Sequence, residues 1–150
     1  MISNMIPPGP TSGAATVAAI TSELGSANWS VSPYRQQVAA SDELTEIAIL
    51  VGAVTFRAEA AFSLTSVRAS LKTASTTGAV TVNVKLNGTT VFSTLLTIDQ
   101  DEKTSVSAAT PAVLDTGPIA VADDDELTVD IDAPGVGAFG LKVLLIGTLA

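Results

Sequence analysis

The 150-residue chain contains no cysteine and no histidine. Their absence excludes disulfides, zinc sites built on Cys or His, thiol nucleophiles, and every triad or acid–base scheme that runs through imidazole. Aromatic residues make up only 4%, so Ala, Val, Leu and Ile must fill most of the core. Basic residues are also scarce: 7 Lys and Arg stand against 15 Asp and Glu, for a net charge of −8. Phosphate contacts need clustered Lys and Arg, so no nucleic-acid partner is expected. No run approaches the roughly 18 continuous apolar residues of a membrane helix. The opening Met1-Ile2-Ser3-Asn4-Met5-Ile6-Pro7-Pro8-Gly9-Pro10 lacks a basic stretch and breaks on prolines. Neither a secretory leader nor a membrane partner is expected. What the chain does have is apolar content, 47%, with a mean hydropathy of +0.46. That argues against disorder, and the length has room for one sizeable core and an arm.

Charge is spread unevenly. Between Met1 and Tyr34 the only charged side chain is Glu23, whereas Asp99 to Asp132 holds ten carboxylates against Lys103 alone. An uncharged stretch rich in Pro, Gly, Ser and Ala cannot build a core, so residues 1–43 read as an N-terminal arm preceding a domain at 44–150. Within the arm, Ser12 as N-cap and Gly25 as the terminating glycine bracket one short helix over Ala14–Leu24. Its Val17, Ile20 and Leu24 form a narrow apolar stripe that needs a partner surface. Ile2, Met5 and Ile6 add apolar contacts nearer the start, and Trp29 and Tyr34, the sole Trp and Tyr, flank the junction with the domain. All eight are candidate assembly residues.

From about Leu44 the hydrophobic period becomes two. Val80, Val82, Val84 and Leu86 alternate with Thr81, Asn83 and Lys85, and Asn87-Gly88 then signals a tight hairpin, because a type I′ turn needs positive φ at both central positions. The return strand is expected over Thr89–Ile98. Leu127, Val129 and Ile131 alternate with Thr128, Asp130 and Asp132, predicting a half-buried strand with an acidic outer face. Further strands are expected at Ile47–Val51, Val54–Ala58, Phe62–Thr73 and Pro111–Asp115. Leu141–Leu149 is apolar on both faces, so it should lie centrally in a sheet or carry its second face into a subunit contact. Its second face, Leu144 and Ile146, completes the candidate assembly residues. About eight strands separated by turn signals predict an all-β, jelly-roll-like antiparallel sandwich, with an immunoglobulin-like sandwich as the alternative.

Phe56-Arg57-Ala58 with Phe62–Ala74, Leu96-Thr97-Ile98-Asp99, Glu102-Lys103-Thr104-Ser105 and Ala108–Leu114 together resemble a small β-module of tailed-bacteriophage virion proteins. Glu126–Asp132, Gly140-Leu141-Lys142-Val143 and Ile146-Gly147-Thr148 continue the pattern in order, so it spans about residues 56–148. The resemblance implies a phage structural protein. Such modules occur at fibre ends and as free-standing head proteins; a chain with no repetitive shaft fits the second. The expectation is a capsid decoration protein that bridges capsomers on the outer surface of the head. Its expected partners are the major capsid protein and its own copies, as a homotrimer or, next, a dimer. The alternative is a receptor- or glycan-binding fibre module.

Other chemistry is weaker in the sequence. Asp123-Asp124-Asp125-Glu126 is a concentration of hard-cation ligands, but it lacks calcium-loop spacing and reads as a solvated turn, so no metal or cofactor is expected. Asp130 and Asp132, two apart on a strand, stand about 6.6–7 Å apart along the chain, a separation compatible with glycosidase carboxylates. The aromatics that stack on sugars are scarce, and no enzymatic activity is expected. Trp29 and Tyr34 read as anchors for the arm rather than a saccharide platform. Arg57 and Arg68 read as lying on exposed strand faces; a buried Arg57 would need a carboxylate partner, with Glu59 or Glu46 as the candidates.

Overall fold

The computed structural model describes residues 32–150, of which Pro33–Ala150 forms one unit. Its strands are β1 (Pro33–Ala39), β2 (Leu50–Arg57), β3 (Phe62–Ser70), β4 (Thr77–Leu86), β5 (Thr89–Thr90), β6 (Phe92–Thr94), β7 (Leu96–Ile98), β8 (Val113–Leu114), β9 (Ile119–Val121), β10 (Glu126–Val136) and β11 (Lys142–Leu149). Every strand pairing is antiparallel. One sheet runs β1-β11-β3-β9; the other runs β2-β10-β4-β5, with β7 also on β4. If β5 to β7 are taken as pieces of one return strand and the small β6–β8 pair is set aside, the sheets read 1-8-3-6 and 2-7-4-5. That is the connectivity of a jelly roll, so the expected all-β fold is observed.

The two-residue period explains the core. Val80, Val82 and Val84 of β4 and Leu127 and Val129 of β10 are fully buried on one side. Leu64 of β3 and Leu141, Val143 and Leu145 around β11 are fully buried on the other. Interleaved β-branched and Leu side chains thus supply what the few aromatics cannot. The predicted Asn87-Gly88 turn forms with φ of 49° and 85°. The terminal run lies centrally in its sheet, between β1 and β3, one of the two placements its two-sided apolarity predicts.

Four expectations change. The arm was expected to reach residue 43, but Pro33–Ala39 is β1, paired along its length with β11, and Ala40 N–H continues by donating to Leu141 C=O at 2.8 Å. Polar Gln36 and Gln37 hide this strand from a hydropathy reading. Tyr34, expected at an assembly contact, belongs to the chain's own core: it is 7% exposed and stacks on Phe62 with ring centroids 3.8 Å apart. The two strands expected over 47–58 are one strand, β2, with Gly52 at φ +67° opposite a register shift in β10. The return strand after Gly88 breaks into three because Val91 and Phe92 are both buried, and adjacent residues cannot both face inward on a regular strand. The expected helix over 14–24 and the candidates Ile2, Met5, Ile6, Val17, Ile20, Leu24 and Trp29 lie outside the described residues.

Candidate functional site

The outer face of the β1-β11-β3-β9 sheet is built by register. Leu144 of β11 is opposite Gln37 of β1 and Arg68 of β3; Ile146 is opposite Arg35 and Ser66. Inner neighbours Val143 and Leu145 are buried, so Leu144 and Ile146 point outward, where flanking side chains leave them half-buried. The structure therefore brings together two expected assembly residues, and adds two arginines that the sequence reading had not joined to them. Arg35 and Arg68 are exposed, and among the described residues neither forms an ion pair. The rest of this face is Pro33, Ala39, Ser63, Ser70, Ala120, Thr148 and Lys142. Lys142 pairs with Glu43 at the sheet's end, and the lysine's hydrogen bond and charge hold the Glu43 carboxyl below the ordinary range. With Lys142 paired to Glu43, Arg35 and Arg68 are the uncompensated cations of this four-stranded face, a local positive charge on a chain of net charge −8.

A second feature lies where β1 crosses to β2. Asp42 accepts the backbone N–H groups of Leu44 and Thr45 at 2.7 and 2.6 Å, which fixes the loop and holds its own carboxyl low. Glu46 accepts from Gly137 N–H at 2.5 Å, and Ile47 tucks into the core. The apolar residues around them do not. Leu44 is 86% exposed, Ile49 68%, Leu50 51% and Val51 77%. This cluster starts an edge strand, with Asp132 next to the Ile131–Leu50 pair. Three exposed carboxylates, Asp42, Glu46 and Asp132, thus rim an apolar surface.

Edge strands are normally blunted by Lys, Pro, brevity or bulges. β1 begins with Pro33 and carries Arg35, and β5 and β9 are two and three residues long. β2 has eight residues and no charge before Arg57; its device is the Gly52 bulge. The sequence reading expected a strand over Ile47–Val51 but assigned no surface to this unbroken apolar run. The same two-sided apolarity that singled out Leu144 and Ile146 was the available signal.

The carboxylate pair considered for catalysis separates. Asp132 is exposed, but Asp130 is 2% exposed and bonded to Lys85 Nζ at 2.6 Å and to Gly52 N–H at 2.7 Å. Burial alone would raise the Asp130 carboxyl; the hydrogen bonds from Lys85 and Gly52 and the ammonium charge outweigh it and hold the group low. Lys85 is raised in turn, first through its hydrogen bond to Asp130. An ion pair so matched pins the bulged edge strand to the sheet. The acidic turn is also occupied. Asn87 Nδ2 donates to Asp125 Oδ1 at 2.9 Å and holds that carboxyl low, Ala122 N–H donates to Asp125 Oδ2 at 2.8 Å, and Arg57 pairs with Glu126 at 3.2 Å, not with Glu59 or Glu46. Among the described residues no three Asp or Glu converge as a metal site, and no helix is long and apolar enough to cross a membrane. Depressions of about 160 to 220 Å³ mark the surface, below the roughly 300 Å³ at which ligand pockets begin. Comparison with known protein families, with curated proteins and with solved structures gives no match.

Proposed function

We propose that this chain is a structural protein of the tailed-bacteriophage virion: a capsid decoration protein, made in the host cytoplasm, that sits on the outer surface of the head. It bridges neighbouring capsomers of the major capsid protein as a homotrimer, and its work is mechanical. The observation that carries the proposal is the pair of apolar surfaces, half-buried at Leu144 and Ile146 and exposed at Leu44 and Ile49–Val51, on a sandwich whose carboxylates are otherwise tied down or solvated. Soluble monomers rarely leave such patches uncovered. The likeness of residues 56–148 to virion β-modules supports the same reading. Burying a few hundred Å² of apolar area at about 25 cal/mol per Å² contributes several kcal/mol per subunit before association costs. That raises the free energy needed to part the shell. The fibre alternative loses half of its aromatic platform, because Tyr34 is inside the core. Cryo-electron microscopy of heads assembled with and without the chain tests the proposal. Density at capsomer junctions only when the chain is present is the expected result. Heads that look the same in both preparations overturn it.

A further inference from the structure

The two apolar surfaces described above differ in the sign of their rims, and they lie at different places on the sandwich. One is Leu144 and Ile146 on the outer face of β11, flanked by Arg35 and Arg68, which form no ion pair among the described residues. The other is Ile49, Leu50 and Val51 at the head of β2, rimmed by Asp42, Glu46 and Asp132. Each has what the other lacks. We infer that they are the two halves of one interface: the arginine-flanked face of one copy docks on the carboxylate-rimmed edge of a second copy of this chain.

The argument is one of complementarity. An isologous contact at the first surface would bring Arg35 and Arg68 against their own symmetry mates, and one at the second would oppose carboxylates. Like-charge juxtaposition is strongly unfavourable across an interface. Docking one surface on the other instead places guanidinium groups, suited to planar carboxylates, beside Asp42, Glu46 and Asp132. The apolar centres are desolvated together. Of the other basic residues, Arg57, Lys72, Lys85 and Lys142 are already in ion pairs, which leaves Lys103, in the loop after β7, as the one further cation without an ion pair among the described residues. Because the two surfaces are different patches, the contact is heterologous and propagates head to tail until a rotation closes it. A closed ring of three is the form that the homotrimer reading requires. The inference rests on reading the chain as a self-assembling structural protein, not on which particle it serves.

The test uses two full-length variants, Arg35→Glu/Arg68→Glu and Ile49→Asp/Val51→Asp. All four positions are exposed, so both variants should keep the native circular dichroism spectrum. Size-exclusion chromatography with light scattering should give a trimer for the native chain and a 15.1 kDa monomer for each variant alone. Each variant retains one intact surface, so an equimolar mixture should form a species of twice the chain mass and stop there. A native chain that stays monomeric at high concentration overturns the inference. So does either variant keeping the native size, or a mixture that remains monomeric. A chain that assembles as expected yet leaves no density on heads keeps this docking and overturns the virion reading instead.

Discussion

Leu144 and Leu145 are neighbours in β11, yet truncation should cost far more at one than at the other. Leu145 is fully buried between the sheets; Leu144 is half-buried on the outer face. Leu145→Ala removes three carbons, worth about 2.4 kcal/mol at about 0.8 kcal/mol per buried methylene. The residual cavity adds to that, because the surroundings of a fully buried side chain relax only in part, and the total should reach about 3–5 kcal/mol. Leu144→Ala leaves no closed cavity and should cost about 1 kcal/mol or less. One kcal/mol shifts the melting temperature of a domain of this size by roughly 3–6 °C. The inner variant should therefore melt some 10–25 °C lower and the outer one only a few degrees lower. Thermal and urea unfolding followed by circular dichroism, at protein concentrations low enough to keep copies apart, measures both. The urea slope should stay unchanged if only the native state is affected. A loss below about 1 kcal/mol for Leu145→Ala, or equal losses for the two variants, would refute the assignment of inner and outer faces.

Removing residues 1–28 should leave the circular dichroism spectrum of a folded sandwich, whereas removing residues 1–43 deletes β1, bares the edge of β11 and should yield insoluble or unfolded protein; equal behaviour of the two truncations would contradict the pairing of β1. Asp130→Asn should lower stability at pH 7 by about 1–2 kcal/mol, less than the roughly 3–5 kcal/mol of a fully buried pair, because Lys85 remains partly in water. The native Asp130 carboxyl is held low in the fold, so its contribution is complete above the ordinary Asp value of about 3.9 and fades as pH falls through the depressed one. The gap between the native and Asn forms should therefore narrow below about pH 4, and a constant gap in urea midpoints from pH 7 to strong acid would sink this account. Excess EDTA should leave the melting temperature unchanged; a loss of several degrees restored by calcium would show a stabilising bound cation.

Much of the fold was written in local pattern. Alternation at Val80–Leu86 and Leu127–Ile131 marked strands, because a strand turns successive side chains to opposite faces. Asn87-Gly88 marked the hairpin, because few residues tolerate positive φ. The apolar run at 141–149 forecast a strand central in its sheet or in a subunit contact, and β11 lies between β1 and β3. Polar strands were not legible. Pro33–Ala39 carries Arg35, Gln36 and Gln37, and its membership in the sheet is decided by backbone hydrogen bonds to β11, which any side chain permits. The broken return strand, with Val91 and Phe92 buried together, was hidden for a related reason. Composition reports hydrophobicity but not where the chain bends.

The candidate surfaces divide in the same way. Sequence alone singled out Leu144 and Ile146, since an apolar residue on a strand's second face must be covered by something. It also excluded imidazole and thiol chemistry outright, since the residues are absent. Only the tertiary structure brought Arg35 and Arg68 beside that pair, from strands more than thirty residues apart in the chain. Only it separated Asp130 from Asp132, burying one against Lys85 and Gly52 and leaving the other in water. Only it showed that Ile49, Leu50 and Val51, apolar like any core strand, lie on an open edge. Burial and charge pairing depend on which strands become neighbours, and that is settled by the closure of two sheets over a shared core rather than by any local stretch of sequence.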